Sequence, residues 1–326
     1  MKAGKLSEAE LKRSVLGQLH ASGDRAQIPA IGQDGAIVRT DGADVVCAVS
    51  TMPAAPAMRV PVTVYTACNN LACCGADPVG ILVSLLLPTS ADEQMLRGMM
   101  GEIDAVCAGE HMQVLGGHTE VTRQVTRPVL SVTAVGLLRR DAPVGQTVRP
   151  GMDILVTNRV GTAGAAILAH VREEELRSRY AQPFLDRAKQ TDGGLSVRTA
   201  ALAALQSKAA AMHDVSAGGI YGALREFAEN FDVGLEIDLK AIPIRQETVE
   251  ICEFFHLNPY KLLSTGSLLV AAEDGGVVAA KIRQANGEAA VIGKITDGND
   301  RVLLCGEERR FLETTQTDEL YKIIGS

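Results

Sequence analysis

Three glycine-bearing segments hold the side chains best suited to bind a metal or a phosphate: GQDGA at 32–36, LGGHTEVT at 115–122 and HDVSAGG at 213–219. Each joins a flexible backbone to an acidic residue or a histidine. Glycine lets a chain turn with positive φ and lets a ligand come close to the backbone. An acid beside it offers the hard oxygen that a phosphate-chelated magnesium ion requires. Asp34 stands just before an expected strand, a rigid edge suited to that role; a plain turn closed by an Asx hydrogen bond is the alternative.

HDVSAGG carries the stronger signal. Ile220, Ala223, Leu224 and Phe227 follow it at helical spacing, so Gly218 and Gly219 fall at a helix N-terminus. Free amides and the positive end of the helix dipole make such a start an anion cradle. Asp214 and Ser216 could instead act as caps of that helix, and His213 alone reads more readily as a structural histidine than as a catalyst.

The surrounding elements alternate between strand and helix. Residues 35–39 and 44–51 have strand character about a Thr40-Asp41-Gly42 turn, and 61–74 has helix character. The apolar run at 80–87, ended by Pro88, suits a buried strand. Ser90 and Glu93 have capping-box spacing for a helix reaching about residue 110. A short apolar run at 112–117 and a strand at 128–140 complete this half. Pro143, Gly145, Pro150 and Gly151 then mark a boundary, giving domains 1–150 and 151–326. In the second half, strands are expected at 153–161, 235–239, 267–272, 289–295 and 302–305. Helices are expected from about residue 163, and at about 219–230, 247–256 and 275–286. Ser7 and Glu10 form another capping box, opening an amphipathic N-terminal helix with Leu11, Val15 and Leu19 on one stripe.

Composition narrows the function. A net charge of -7 over 326 residues lacks the basic face of a nucleic-acid binder, and a chain without Trp has few stacking platforms for single strands. The 46% hydrophobic content is ample for a core, yet no run of about 18 uncharged apolar residues suggests a membrane span. The N-terminus lacks signal-peptide features, so the expected location is cytoplasmic. Seven cysteines without a CxxC pair read as buried, reduced thiols.

The order of the segments is the most specific feature. GQDGAIV, VSTMP, ACNNLACCGADPVGILVSLLLP, VLGGHTEVT and HDVSAGGIYGALREFA together resemble the aminoimidazole ribonucleotide (AIR) synthetase superfamily. GGHTEVT and NPYKLLSTGSLLVA (258–271) are similar to motifs of its hydrogenase-maturation branch. The resemblance implies a two-domain α/β (α+β) fold. Its N-terminal domain would pair into a dimeric β-barrel, and its C-terminal sheet would be flanked by helices. ATP and magnesium would lie in the cleft between the domains, with a homodimer as the working unit. The expected partners are a small-molecule substrate or a maturation-pathway protein.

Carried over residue by residue, the resemblance puts nucleotide contacts at Asp34, Asn70, Gly116, Gly117, His118, Asp214, Gly218 and Gly219. It puts metal ligands at Asp34, Glu120 and Asp214. Two acidic positions of the family pattern have changed: Met52 stands in the Ser-Thr-Asp motif, and Asn70 stands in the Asn-Asp motif. Methionine offers no hard oxygen, whereas the Asn70 carbonyl offers one without charge. The branch's acceptor cysteine at the C-terminus also has no counterpart, because the chain ends ELYKIIGS and its last cysteine is Cys305. The expected activity is ATP-dependent phosphorylation or activation of a small-molecule or carboxamide-like acceptor. The alternative is a non-catalytic nucleotide sensor or scaffold with an eroded metal site.

Overall fold

Alternating burial shapes the first half. In the computed structural model, which describes residues 5–19, 25–26, 29–52, 58–140, 142, 147–191, 194–313 and 317–324, this half forms a five-stranded sheet. Its strands are β1 (Ala36–Val38), β2 (Val45–Thr51), β3 (Ala76–Pro88), β4 (Gln113–Thr122) and β5 (Val129–Leu138), in the order β1-β2-β5-β3-β4. Only the β3–β4 pair is parallel. One face, with Val46, Ile81, Val83, Leu85, Leu130 and Val132, packs under two helices, α2 (Arg59–Cys73) and α3 (Glu93–Gly109). Val60, Val64 and Leu71 of α2 are fully or almost fully buried. Each such side chain contributes roughly 1.5–3 kcal/mol, so the helix is firmly seated.

The second half is a seven-stranded sheet in the order β12-β11-β8-β10-β6-β9-β7. The strands are β6 (Asp153–Thr157), β7 (Ala211–Val215), β8 (Gly234–Asp238), β9 (Ser267–Ala272), β10 (Ala289–Thr296), β11 (Arg301–Cys305) and β12 (Glu308–Phe311). Its helices are α4 (Thr162–Val171), α5 (Glu173–Leu176), α6 (Gln182–Ala188), α7 (Arg198–Gln206), α8 (Gly219–Phe231), α9 (Gln246–Phe254), α10 (Gly275–Gln284) and α11 (Tyr321–Ile324). This is the expected mixed α/β architecture, two sheets flanked by helices.

Helix α2 also faces the second half. Asn69 donates to the Leu195 carbonyl at 2.9 Å and accepts from the Val197 N–H at 3.0 Å, while the Thr66 and Thr265 hydroxyls meet at 3.1 Å. These buried polar contacts fix the register of the two halves.

Three expectations need correction. Helix α3 starts two residues later than Ser90 suggested: Asp92 is its N-cap and accepts from the Met95 N–H at 2.7 Å. LGGHTEVT, read as a flexible glycine-bearing segment, is most of strand β4. Residues 211–215 form a strand the sequence hid, because β7 carries His213 and Asp214 in its middle. The Ser7–Glu10 box does open helix α1 (Glu8–Ser14), but Val15 and Leu19 are exposed and α1 buries no residue. Pro143 and Gly145 lie outside the described residues.

Candidate functional site

Strand β7 and helix α8 bring the acidic groups together. Strand β7 is buried along its whole length between β9 and α2. Its polar centre faces the loop that carries Asp34. The His213 Nδ1 lies 2.9 Å from Asp34 Oδ2, and its Nε2 lies 3.4 Å from Glu226 Oε2 on α8. Lys5 Nζ reaches the other side of that carboxylate, 2.9 Å from Oε1. Asp34, His213, Glu226 and Lys5 thus form one chain of alternating charge.

The charges follow from this order. Burial opposes a charged imidazole, but the neighbouring Asp34 and Glu226 carboxylates outweigh it and push His213 up to about 10. Burial likewise opposes ionised Glu226, yet Lys5 and His213 hold it down at about 2. Asp214 is different. Burial, reinforced by Asp34, pushes it up to about 7. Ser216 lies near enough to oppose this rise, yet neither carboxylate oxygen makes a well-formed hydrogen bond among the described residues. A buried polar atom left unpaired is costly, and such orphans mark places built for something else.

That place is a cleft of about 360 Å³, lined by Asp34, Asn70, His213, Asp214 and Glu226 and roofed by Lys5 and Glu8 near α1. Asp34 and Asn70 come from the first half; the others come from β7, α8 and the N-terminal segment. The donor set suits magnesium held with a nucleotide: two carboxylates, one orphaned, and an amide oxygen. No cluster of three or more His, Cys, Asp or Glu able to cage a metal alone occurs among the described residues. Magnesium typically takes one or two carboxylates and completes its shell with water and substrate phosphate.

The helix start behaves otherwise than expected. Gly218 and Gly219 have φ of +90° and +62°, and a Cβ on Gly219 would come within 2.6 Å of the Tyr260 carbonyl. Close packing alone therefore requires glycine there. Neither Asp214 nor Ser216 caps α8 with its side chain. The anion at this start is Asp318, from the C-terminal segment: it accepts from the N–H of Gly218 at 2.7 Å, Leu320 at 2.9 Å and Leu263 at 3.2 Å. Burial pushes this carboxyl up to about 6 despite those three donors. The chain's own carboxylate has taken the position the sequence offered to phosphate.

The remaining candidates lie elsewhere. Gly116, Gly117, His118 and Glu120 sit on exposed β4, outside the cleft. Register places His118 opposite Ser84 and Glu120 opposite Leu86, on the sheet face turned away from α2 and α3. The His118 Nε2 and Glu120 Oε2 pair at 3.2 Å, with side chains 66% and 54% exposed. Gly117 is needed for packing, since a Cβ would lie 1.9 Å from the Val83 carbonyl oxygen. Met52 packs at the edge of an apolar cluster that includes Leu168 and Leu262, not in the cleft. Asn69 is spent joining the halves, leaving Asn70 to the cleft.

Cysteines add no nucleophile here. Burial pushes the Cys73 thiol well above its usual range and Cys74 up to about 12. Cys305 is exposed in β11, paired with Glu308 of β12. Sequence reasoning missed Lys5, Glu226 and Asp318. Glu226 had a faint signal, an acid at the margin of the apolar stripe of α8. Asp318 had none, because its partners lie 55 and 100 positions away.

Comparison with known proteins agrees with the architecture. Residues 23–138 match the model for the N-terminal domain of AIR synthase related proteins, and 149–305 match that for the C-terminal domain. Carbamoyl dehydratase HypE of Rhodobacter capsulatus is 27% identical over 234 residues, covering 69% of this chain and 66% of that protein. The chain thus spans slightly less than two thirds of that relative's length. Among solved structures, hydrogenase maturation protein HypE in complex with ATP has a TM-score of 0.75 at 18% identity, covering 97% of this chain and 94% of its own. HypE in a HypE–HypF complex gives 0.73 at 16% identity, covering 86% and 93%. With both family models matched in order along most of its length, the chain belongs to the AIR synthase related family.

Proposed function

We propose that this protein binds ATP with magnesium in the cleft between Asp34 and Asp214 and uses it to phosphorylate or activate a small-molecule or carboxamide-like acceptor. The observation that carries this reading is Asp214, a buried carboxylate whose two oxygens have no partner among the described residues and which lines a cleft shared by both halves. The fold likeness to a HypE solved with ATP supports the choice of nucleotide. Magnesium, when bound, would neutralise charge on the phosphates. Asp34, Asp214 and the Asn70 carbonyl would hold it, and His213 fixes the Asp34 carboxylate between its neighbours. In the transfer, a P–O bond forms to the acceptor oxygen as the β–γ bridging P–O bond breaks and ADP leaves.

A second reading keeps the nucleotide and drops the chemistry: a sensor or scaffold in a maturation pathway. Met52, turned into an apolar cluster, and the neutral Asn70 favour it. The HypE–HypF complex is the precedent for a protein partner. Steady ATP hydrolysis that disappears in Asp34→Asn supports the enzyme; nucleotide binding without hydrolysis, over a broad panel of acceptors, supports the sensor.

Homodimerisation is part of the same proposal. The uncovered sheet face presents Val49 and Leu82, 63% and 43% exposed, among Thr51 and Ser84. A second copy is the occupant proposed for it, closing the two sheets into a barrel. Val49→Glu should convert a dimer into a monomer in sedimentation equilibrium; a monomeric wild type would contradict this.

A further inference from the structure

We propose that Lys5 is a ligand-binding residue of the cleft, an ammonium group that leaves Glu226 to hold the phosphate chain of the nucleotide. The inference rests on the nucleotide reading above.

Glu8, Asp34, Asp214 and Glu226 all line the cleft, so an entering polyphosphate meets acids and needs a cation besides any metal. The cationic side chains among the described lining residues are Lys5, His213 and Arg225. Arg225 is committed: its Nε and Nη2 donate to the two oxygens of Glu8 at 3.0 and 2.9 Å, with its side chain 16% exposed. His213 is held between Asp34 and Glu226 and is 5% exposed. Among the described residues Lys5 makes a one-point contact with a single carboxylate oxygen and its side chain is half-exposed, and an ion pair of that kind is weak and readily exchanged.

Position supports the same role. Lys5 lines the main cleft and also the adjoining cavity of about 30 Å³ beside Gly218 and Asp318. It therefore stands between the acid cluster and the start of α8. It also belongs to a segment able to adjust, because α1 buries no residue and meets α8 through the ion pairs Lys5–Glu226, Glu8–Arg225 and Lys12–Glu229. A flexible stem with a compact charge is the lysine property used to follow phosphate oxygens.

A purely structural lysine would also bridge α1 and α8, so the test separates tethering from binding. ATP affinity in the presence of magnesium is measured by calorimetric titration of full-length wild type, Lys5→Met, Lys5→Arg and Lys12→Met, each first checked for an unchanged thermal transition. Lys12→Met removes an α1–α8 ion pair outside the cleft. The expected result is binding weakened about tenfold or more in Lys5→Met, largely restored in Lys5→Arg, and within about twofold of wild type in Lys12→Met. Wild-type affinity in Lys5→Met overturns the assignment while leaving the nucleotide reading intact. Equal weakening in Lys5→Met and Lys12→Met also overturns it, since Lys5 would then act only by docking α1. A wild type that binds no ATP overturns the nucleotide reading and this inference with it.

Discussion

HDVSAGG and LGGHTEVT are alike in composition, each a glycine pair with a histidine and an acid, and they do opposite things. The first enters a strand buried against α2 and turns into α8, so its histidine is held between defined partners while its acid is buried without one among the described residues. The second runs along an edge strand whose histidine and acid pair with each other on the exposed face of the single chain. The difference is environmental. Low dielectric strengthens each charge interaction at His213 and Asp214, whereas water screens the His118–Glu120 pair. Perturbed groups gather in the first region for that reason, and such gathering points to function.

Substitutions can sharpen or break this contrast. The largest effect is expected at Asp318, which caps the buried helix start: Asp318→Ala leaves three backbone donors without their acceptor and should cost about 3 kcal/mol in urea unfolding. A loss below about 1 kcal/mol would mean that water replaces the carboxylate freely. Gly117→Ala comes next. Its methyl would strike the Val83 carbonyl, so β4 must shift, at roughly 2 kcal/mol or more. An unchanged midpoint there would show that the edge strand is not held in this register.

Glu226→Gln tests the charge chain through pH. The folded value of Glu226 is depressed to about 2, so its stabilisation is present above about pH 4.5 and lost as pH falls through about 2. The shift corresponds to up to about 3 kcal/mol, so the wild-type advantage over Glu226→Gln should shrink between those limits. A constant difference between the two proteins across that range would contradict the pairing. The smallest effect is expected at Glu120→Gln in the monomeric Val49→Glu background, within about 0.5 kcal/mol, because the pair it breaks is exposed in the single chain.

Much of the frame is legible in the chain because period and punctuation encode it. The run SLLVAA became β9 with the bounds expected, and α8 begins at Gly219 where the apolar stripe pointed. Strand β7 escaped notice because strands are recognised by apolar or alternating side chains, and a functional strand buries His213 and Asp214 instead. Asp34 and Asp214 were named from motif order, but their separation could not be read, and neither could the filling of the helix start by Asp318. Both depend on contacts 180 and 100 residues apart in sequence. Local pattern carries no information at that range. The glycines at 117 and 219 are ambiguous in a regular way, since close backbone packing and phosphate binding ask for the same residue.

The most direct test of the central claim is calorimetric titration of the full-length protein with ATP, with and without magnesium, for wild type and Asp214→Asn. The account predicts magnesium-dependent binding to the wild type that Asp214→Asn weakens about a hundredfold. Magnesium-independent binding, or equal affinity in the two proteins, would contradict the assignment of Asp214 as the acid that holds the metal–nucleotide complex.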